Sequence, residues 1–251
     1  LVACAEDPGA ARLASHARGR GIATLTYGRP GHCAQRPDAA VQDVDSTASG
    51  STARVVWDGQ AVVLRLAVAG EHNVLNATAA LLAGAVLGVG LPEMASGLAS
   101  FTGTARRFEE RGRVGSRRLF DDYAHHPTEV AAALRQARVV AGAGGVTVVF
   151  QPHLYSRTRI FAARFAEALA AADHVVVTDV YAAREDPEPG VDSTLITSAL
   201  PGSLHVPDMH EAARTGAGLV DEGGILITMG AGSITSCGAD VLEFWRRGEA
   251  Q

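Results

Sequence analysis

The chain has 251 residues, 47% hydrophobic and 20% charged, with a formal net charge of −5. That composition suits one large or two modest globular domains and excludes a disordered chain. The acidic balance offers no basic footprint for nucleic acid or an anionic membrane surface, and no run of apolar residues is long enough for a membrane span.

All 22 basic residues are arginine. A phosphate-loop lysine or a Schiff-base lysine is therefore excluded from this chain, and phosphate must be met by arginine, backbone N–H groups or a metal. Cys4, Cys33 and Cys237 are odd in number, far apart and without metal spacing, so a reduced, cytoplasmic setting is expected. Leu1 is expected to open a strand-like run, with no signal peptide expected before it.

Leu1 to Cys4 reads as a buried strand, Glu6 to Gly9 as a turn, Ala10 to Ala17 as a helix and Ile22 to Tyr27 as a second strand. This β-α-β unit implies a parallel pair in a layered sheet. Residues 28–50, rich in Gly, Pro, Asp and Ser, read as loop or weakly ordered connection. Val55–Trp57 and Val62–Leu66 flank Asp58-Gly59, which predicts a hairpin with a tight primed turn. Gly70-Glu71-His72-Asn73-Val74-Leu75-Asn76-Ala77 then opens a helix to about Leu87, where Asn73 and Asn76 also suit helix capping. A second short helix follows Pro92.

The second half alternates strands and helices from 119 to 248, as in a doubly wound, mostly parallel α/β domain. Leu119 and Phe120 end a short strand at Asp121-Asp122-Tyr123-Ala124-His125-His126, and Pro127 opens a helix with Glu129 in its first turn. Val146–Phe150 is a strongly apolar strand ending in Gln151-Pro152-His153-Leu154-Tyr155-Ser156-Arg157-Thr158. The helix that follows can be capped by Ser156 or Thr158, and N–H groups exposed at its start welcome an anion. His174–Tyr181 is the next strand, 182–191 a polar loop, Ser203–Val206 a short strand and Asp208–Val220 a helix. Gly224–Met229 and a glycine turn, Gly230-Ala231-Gly232, precede a terminal helix to Arg247; the turn's commoner meaning is close strand–helix packing. The adjacent His125 and His126 read against a metal, because neighbouring residues rarely point to one ion and no third ligand is spaced nearby.

Asp-Asp-Tyr-Ala-His-His-Pro-Thr-Glu resembles a signature of the Mur ligases, within them the branch that adds L-alanine to UDP-N-acetylmuramate; Gly usually stands where this chain has Ala124. Gly-x-His-Asn-Val-x-Asn-Ala, Arg106-Arg107-Phe108 and Gln-Pro-His-x-Tyr-Ser-Arg-Thr resemble further motifs of that family, in its order. Leu154 stands where Arg is usual, and Ser233 where Asp is usual. The resemblance implies that 1–104 are the C-terminal part of a central ATP-binding domain, an incomplete layer begun mid-domain. It makes 105–251 the Rossmann-like C-terminal domain. It further implies ATP-dependent ligation through an acyl phosphate, with UDP-N-acetylmuramate, L-alanine and ATP as partners. His72, Asn73, Arg107, Asp122 and Tyr123 are implied at the nucleotide. His125, His153, Ser156 and Arg157 are implied at the substrate carboxylate and acyl phosphate. The chain holds no Gly-x-x-Gly-Lys-Ser/Thr loop, so magnesium ligands, the phosphate loop and a UDP-binding domain are expected outside it, and the chain alone is expected to be inactive. A tripeptide-ligating relative and a non-catalytic module of the same fold are the alternative readings.

Overall fold

In the computed structural model, which describes residues 1–249, strand β1 (Val2–Cys4) hands over to helix α1 (Pro8–Gly19) at Asp7. The Asp7 carboxylate accepts the Ala10 N–H at 2.7 Å, and Pro8 needs no N–H in the first turn. Strand β2 (Leu25–Gly28) returns parallel to β1. Residues 22–24, expected to be part of that strand, lie outside it.

The connection expected over 28–50 is corrected by β3 (Ala39–Thr47), a nine-residue strand parallel to β2. Asp43 has φ 50 and sits where the register slips between Gln42 and Asp45, so a bulge breaks the alternation that marks a strand. Ala39 and Val41 are nonetheless buried. Strands β4 (Gly50–Trp57) and β5 (Gln60–Leu66) form the expected hairpin. Asp58 and Gly59 both have positive φ, as a type I′ turn requires. Helices α2 (Glu71–Val86) and α3 (Leu91–Ala99) follow. The sheet runs β1-β2-β3-β4-β5, and Val74, Leu81 and Leu82 of α2 share a core with Val41, Val55 and Leu64.

From Thr104 a second compact unit begins. Its hairpin, β6 (Glu109–Val114) and β7 (Arg117–Asp122), is followed by α4 (Pro127–Ala141), β8 (Val146–Phe150), α5 (Tyr155–Leu169) and β9 (His174–Val177). Then come α6 (Thr194–Thr197), β10 (Leu204–His205), α7 (Met209–Gly218), β11 (Ile225–Met229), a 3-10 turn over Ser233–Cys237 and α8 (Gly238–Glu249). The sheet order is β10-β9-β8-β11-β7-β6, parallel except for the antiparallel edge strand β6.

Every residue of β8 and β11 is buried, which is why both read as continuous apolar runs rather than alternating ones. Helices α4 and α5 pack on one face, around Phe150, Phe165 and Ile227, and α7 and α8 on the other, around Val149, Leu226 and Trp245. Each such large side chain contributes about 1.5–3 kcal/mol on burial. The second unit is thus doubly wound, and its parallel register aligns Asp122, Met229 and Phe150 at one carboxyl edge. Among the described residues no helix is long and apolar enough to cross a membrane.

Candidate active site

Strand β7 runs two residues further than expected and buries both its terminal carboxylates. Asp121 accepts from Arg106 Nε at 3.2 Å, Thr228 Oγ1 at 3.0 Å and Thr235 Oγ1 at 2.7 Å. Asp122 accepts two backbone N–H groups, from Phe108 at 2.8 Å and Ala124 at 2.7 Å. Burial raises the Asp122 carboxyl to about 6, against the pull of those two donors and of Arg107. Asp122 therefore ties the Arg106–Phe108 segment to the turn after β7.

In that turn Tyr123 donates its N–H to Arg106 at 2.7 Å, and its ring lies under the guanidinium groups of Arg106 (4.8 Å) and Arg107 (5.6 Å). The adjacent histidines part company. His126 caps α4, accepting the Thr128 N–H at Nδ1, and its ring packs edge-on against Phe161. His125 turns the other way, edge-on to Tyr123 at 5.2 Å and 6.0 Å from the His153 ring. Its Nδ1 lies 3.0 Å from the Tyr123 carbonyl oxygen and 3.4 Å from Glu129 Oε2. Glu129 closes the capping box by accepting the N–H groups of His125 and His126, at 3.0 and 3.2 Å.

Beyond β8, His153 stacks on Tyr181 with ring centroids 5.5 Å apart. Tyr181 donates its N–H to the Pro152 carbonyl at 2.8 Å and accepts the Leu154 N–H at 2.9 Å. Leu154 precedes α5 with φ 75, a strained value for a side-chain-bearing residue, and this bridge holds it there. Arg157 Nη1 reaches back to His153, 3.2 Å from Nδ1 and 3.3 Å from the carbonyl oxygen. Burial, then the charges of Arg157 and His125, push the His153 imidazole below its usual range, while Glu185 pulls the other way. A neutral His153 can accept from Arg157.

The expectation that Ser156 or Thr158 caps α5 is corrected: no side chain of the helix does so. Glu185, from the loop after β9, takes the Ser156 N–H at 2.9 Å and the Ser156 hydroxyl as well. Those contacts hold its carboxyl below the usual carboxylate range, the Ser156 hydroxyl acting most strongly.

The glycine turn after β11 completes the edge. A Cβ at Gly232 would sit 2.4 Å from Gln151 Oε1 and 2.6 Å from the Tyr181 ring, so close packing does account for that glycine. Arg106 Nη2 donates to the Gly230 carbonyl at 2.7 Å, and the Ile234 N–H donates to Gln151 Oε1 at 3.1 Å.

This geometry gathers Arg107, Asp122, Tyr123, His125, His153, Ser156 and Arg157 at the carboxyl edge of the second sheet. His72 and Asn73 lie in the first unit, in the opening turn of α2. There the capping alternative is corrected. Gly70 is the N-cap, Asn76 is exposed, and Asn73 Nδ2 donates to the Ala69 carbonyl at 2.7 Å. A cavity of about 380 Å³ elsewhere in the first unit, lined by Pro8, Arg12 and Arg36 among others, contains none of these residues.

Residues 106–232 match the family profile described as the glutamate ligase domain of Mur ligases, and residues 1–84 match the Mur ligase middle domain. The chain belongs to the Mur ligase family.

Among curated relatives, the UDP-N-acetylmuramate–L-alanine ligase of Kineococcus radiotolerans is 53% identical over 96% of this chain and 51% of its own length. The ligase of the same name from Saccharopolyspora erythraea is 47% identical over 96% of this chain and 50% of its own length. The chain spans about half the length of the curated relatives it matches. Among solved structures, UDP-N-acetylmuramate-alanine ligase from Thermotoga maritima superposes with a TM-score of 0.69 at 27% identity, over 90% of this chain and 48% of that one. The MurF ligase of Thermotoga maritima, solved in complex with ADP, shares the fold at 20% identity with a TM-score of 0.69, over 98% of this chain and 53% of that one.

Three residues of this Mur ligase edge were not marked as site residues in the sequence. Glu129 reads only as a helix-dipole partner, and Arg106 only as one of an arginine pair. Glu185 gives no local signal at all, since it meets Ser156 across 29 residues.

Proposed function

We propose that the chain acts in the ATP-dependent joining of L-alanine to the carboxylate of UDP-N-acetylmuramate, a step of peptidoglycan precursor synthesis. Residues 1–104 would serve as the C-terminal part of the central domain, and 105–251 as the C-terminal domain. The observation that carries this reading is the meeting of His125, His153 and Arg157 at one strand edge, in motifs that match the family. The identity to ligases of that name supports the choice of substrates.

In such a ligation the substrate carboxylate attacks the γ-phosphorus of ATP and ADP leaves, giving an acyl phosphate. The amine of alanine then attacks the acyl carbon, phosphate departs with the C–O bond electrons, and the amine loses a proton. Negative charge builds on the phosphoryl oxygens and on the acyl oxygen. Arg157 and His125 are the groups proposed to offset it, since donors already aimed at developing charge need no reorganisation during the reaction. His153 orients Arg157 through the Nδ1 contact. Ser156 presents its hydroxyl and N–H at the start of α5. Arg107 and Tyr123 are proposed against the nucleotide, with Asp122 holding both segments, and His72 and Asn73 against the adenine.

Among the described residues Asp121, Asp122, Glu129 and Glu185 serve as acceptors for protein donors and form no metal-ligand group, so magnesium ligands are proposed outside this chain.

The test joins this chain to the N-terminal half of the Kineococcus radiotolerans ligase at the matching position. With UDP-N-acetylmuramate and ATP, phosphate release that depends on L-alanine is expected. A folded chimera that binds ATP yet ligates nothing, or that prefers a tripeptide to alanine, would overturn the proposal.

A further inference from the structure

On the helical face opposite α4 and α5, three metal-ligating side chains of different chemistry converge. His210 lies in the first turn of α7, Cys237 ends the 3-10 turn, and Asp240 lies in the first turn of α8. His210 Nδ1 is 2.8 Å from Asp240 Oδ2 and 3.7 Å from Cys237 Sγ, and the three ligand atoms lie within 4.8 Å of one another. Donors around a tetrahedral zinc ion, with bonds of roughly 2.0–2.3 Å, stand about 3.3–3.8 Å apart. The His210–Cys237 separation matches that spacing, and the Asp240 oxygen reaches it by drawing back about half an ångström from its 2.8 Å hydrogen bond to His210.

A single hydrogen on Nδ1 can point to the carboxylate or the thiol, not to both. A cation between the three atoms would engage all of them at once. The Cys237 thiol is fully buried, whereas His210 and Asp240 are partly exposed, so a water ligand can complete the set from the solvent side. Arg214 Nη1 approaches the other carboxylate oxygen of Asp240 at 3.5 Å, which leaves Oδ2 facing the cluster. The guanidinium charge opposes a dication there; the Asp240 carboxylate offsets it, together with the thiolate formed as the cation displaces the Cys237 proton to water.

We propose that His210, Cys237 and Asp240 bind one divalent cation of the zinc class, with water as fourth ligand. Sulfur, nitrogen and oxygen donors together select such an ion over magnesium or calcium, which take oxygen sets. The cation would pin the segment 230–237. That segment places the Gly230 carbonyl on Arg106, Thr235 on Asp121 and the Ile234 N–H on Gln151. Its role is thus to fix the glycine turn of the candidate active site, not to take part in the reaction. The spacing of 27 residues between His210 and Cys237 explains why no metal motif shows in the sequence.

The experiment titrates the chelator-treated 251-residue chain with Co²⁺ and follows absorbance, then displaces the cobalt with Zn²⁺. One cobalt per chain is expected, with a thiolate charge-transfer band and intense tetrahedral d–d bands, and zinc should raise the thermal midpoint. The band should survive Cys4→Ser with Cys33→Ser and vanish in Cys237→Ser. Asp240→Asn and His210→Gln, at partly exposed positions, should weaken binding at least about tenfold and abolish the thermal shift. Folding of each variant is checked by Trp245 fluorescence. No thiolate band in the parent at micromolar cobalt, or a band that persists in Cys237→Ser, overturns the proposal and leaves an ordinary His–Asp ion pair.

Discussion

Asp122 gives the sharpest physical test of the site's frame. Its carboxyl rises from 3.8 to about 6 on folding because it is buried. Between those values the folded chain holds a proton that the unfolded chain releases, so this group's contribution to stability falls as pH rises through the window. The gap of roughly two units corresponds to about 3 kcal/mol, of which about 2 kcal/mol falls between pH 4.5 and 7.5. Asp122→Asn cannot titrate. It also turns an amide NH₂ toward one of the two N–H donors, Phe108 or Ala124, at a cost of about 1–3 kcal/mol. At pH 7.5 that loss is largely offset by removal of a buried charge, so parent and variant should differ by no more than about 1–2 kcal/mol. At pH 4.5 the parent should lead by about 2 kcal/mol more. Urea unfolding followed by Trp245, in a Trp57→Phe background, reads the second unit because these are the chain's two tryptophans. Acids remote from Asp122 are common to both proteins and cancel in the difference. Parallel stability curves across this pH range would refute the assignment of the burial cost to Asp122.

Other perturbations probe the edge itself. In the chimeric ligase Arg157→Ala should lower kcat and kcat/KM together by about 10- to 150-fold, as for loss of a charged hydrogen bond, and Lys should restore only part; unchanged kinetics would remove Arg157 from the site. Gly232→Ala forces its Cβ against Gln151 and the Tyr181 ring, so a loss of about 1–3 kcal/mol is expected in the same unfolding assay, and a neutral result would mean the turn yields freely. Glu185→Ala should open the start of α5, so that inorganic phosphate binds the variant more tightly than the parent by calorimetry; equal binding would show that Glu185 does not block it.

The second unit was largely legible because its parallel strands are apolar throughout and its helices carry clear starts. Pro127 and the first-turn Glu129 mark α4, and Asp208 marks α7, where it accepts the His210 and Glu211 N–H groups. Strand β6 was not legible. As an edge strand it is exposed along most of its length, so Glu109-Glu110-Arg111-Gly112-Arg113 carries no apolar alternation. Strand β3 was hidden by one bulged residue, Asp43. Within the site, the strand-end positions of Asp122, His125 and His153 followed from local pattern and family resemblance. What each side chain touches did not. Whether Asp122 faces a ligand or its own backbone depends on Phe108, 14 residues away. The divergence of His125 from His126 depends on Phe161.

The arginine-only composition gains its meaning from how these charges are engaged. Arg106 is tied down by Asp121 and two glycine-turn carbonyls, and serves as frame. Arg107 is half-exposed and only 3.9 Å from Glu129, a loose pairing that an anion can outcompete in water. Arg157 bonds an imidazole rather than a carboxylate, and the Glu185 carboxylate nearby feels its charge without a direct bond among the described contacts. A guanidinium held by one edge still has donors free along the other, which a lysine ammonium pinned by the same histidine could not offer in a fixed plane. The start of α5 differs again, because Glu185 already occupies the N–H of Ser156. An anionic intermediate at that helix must therefore share or displace an internal carboxylate. Under the proposed reaction, Arg157 in the first turn of α5 would be the cation that draws such an intermediate away from Glu185.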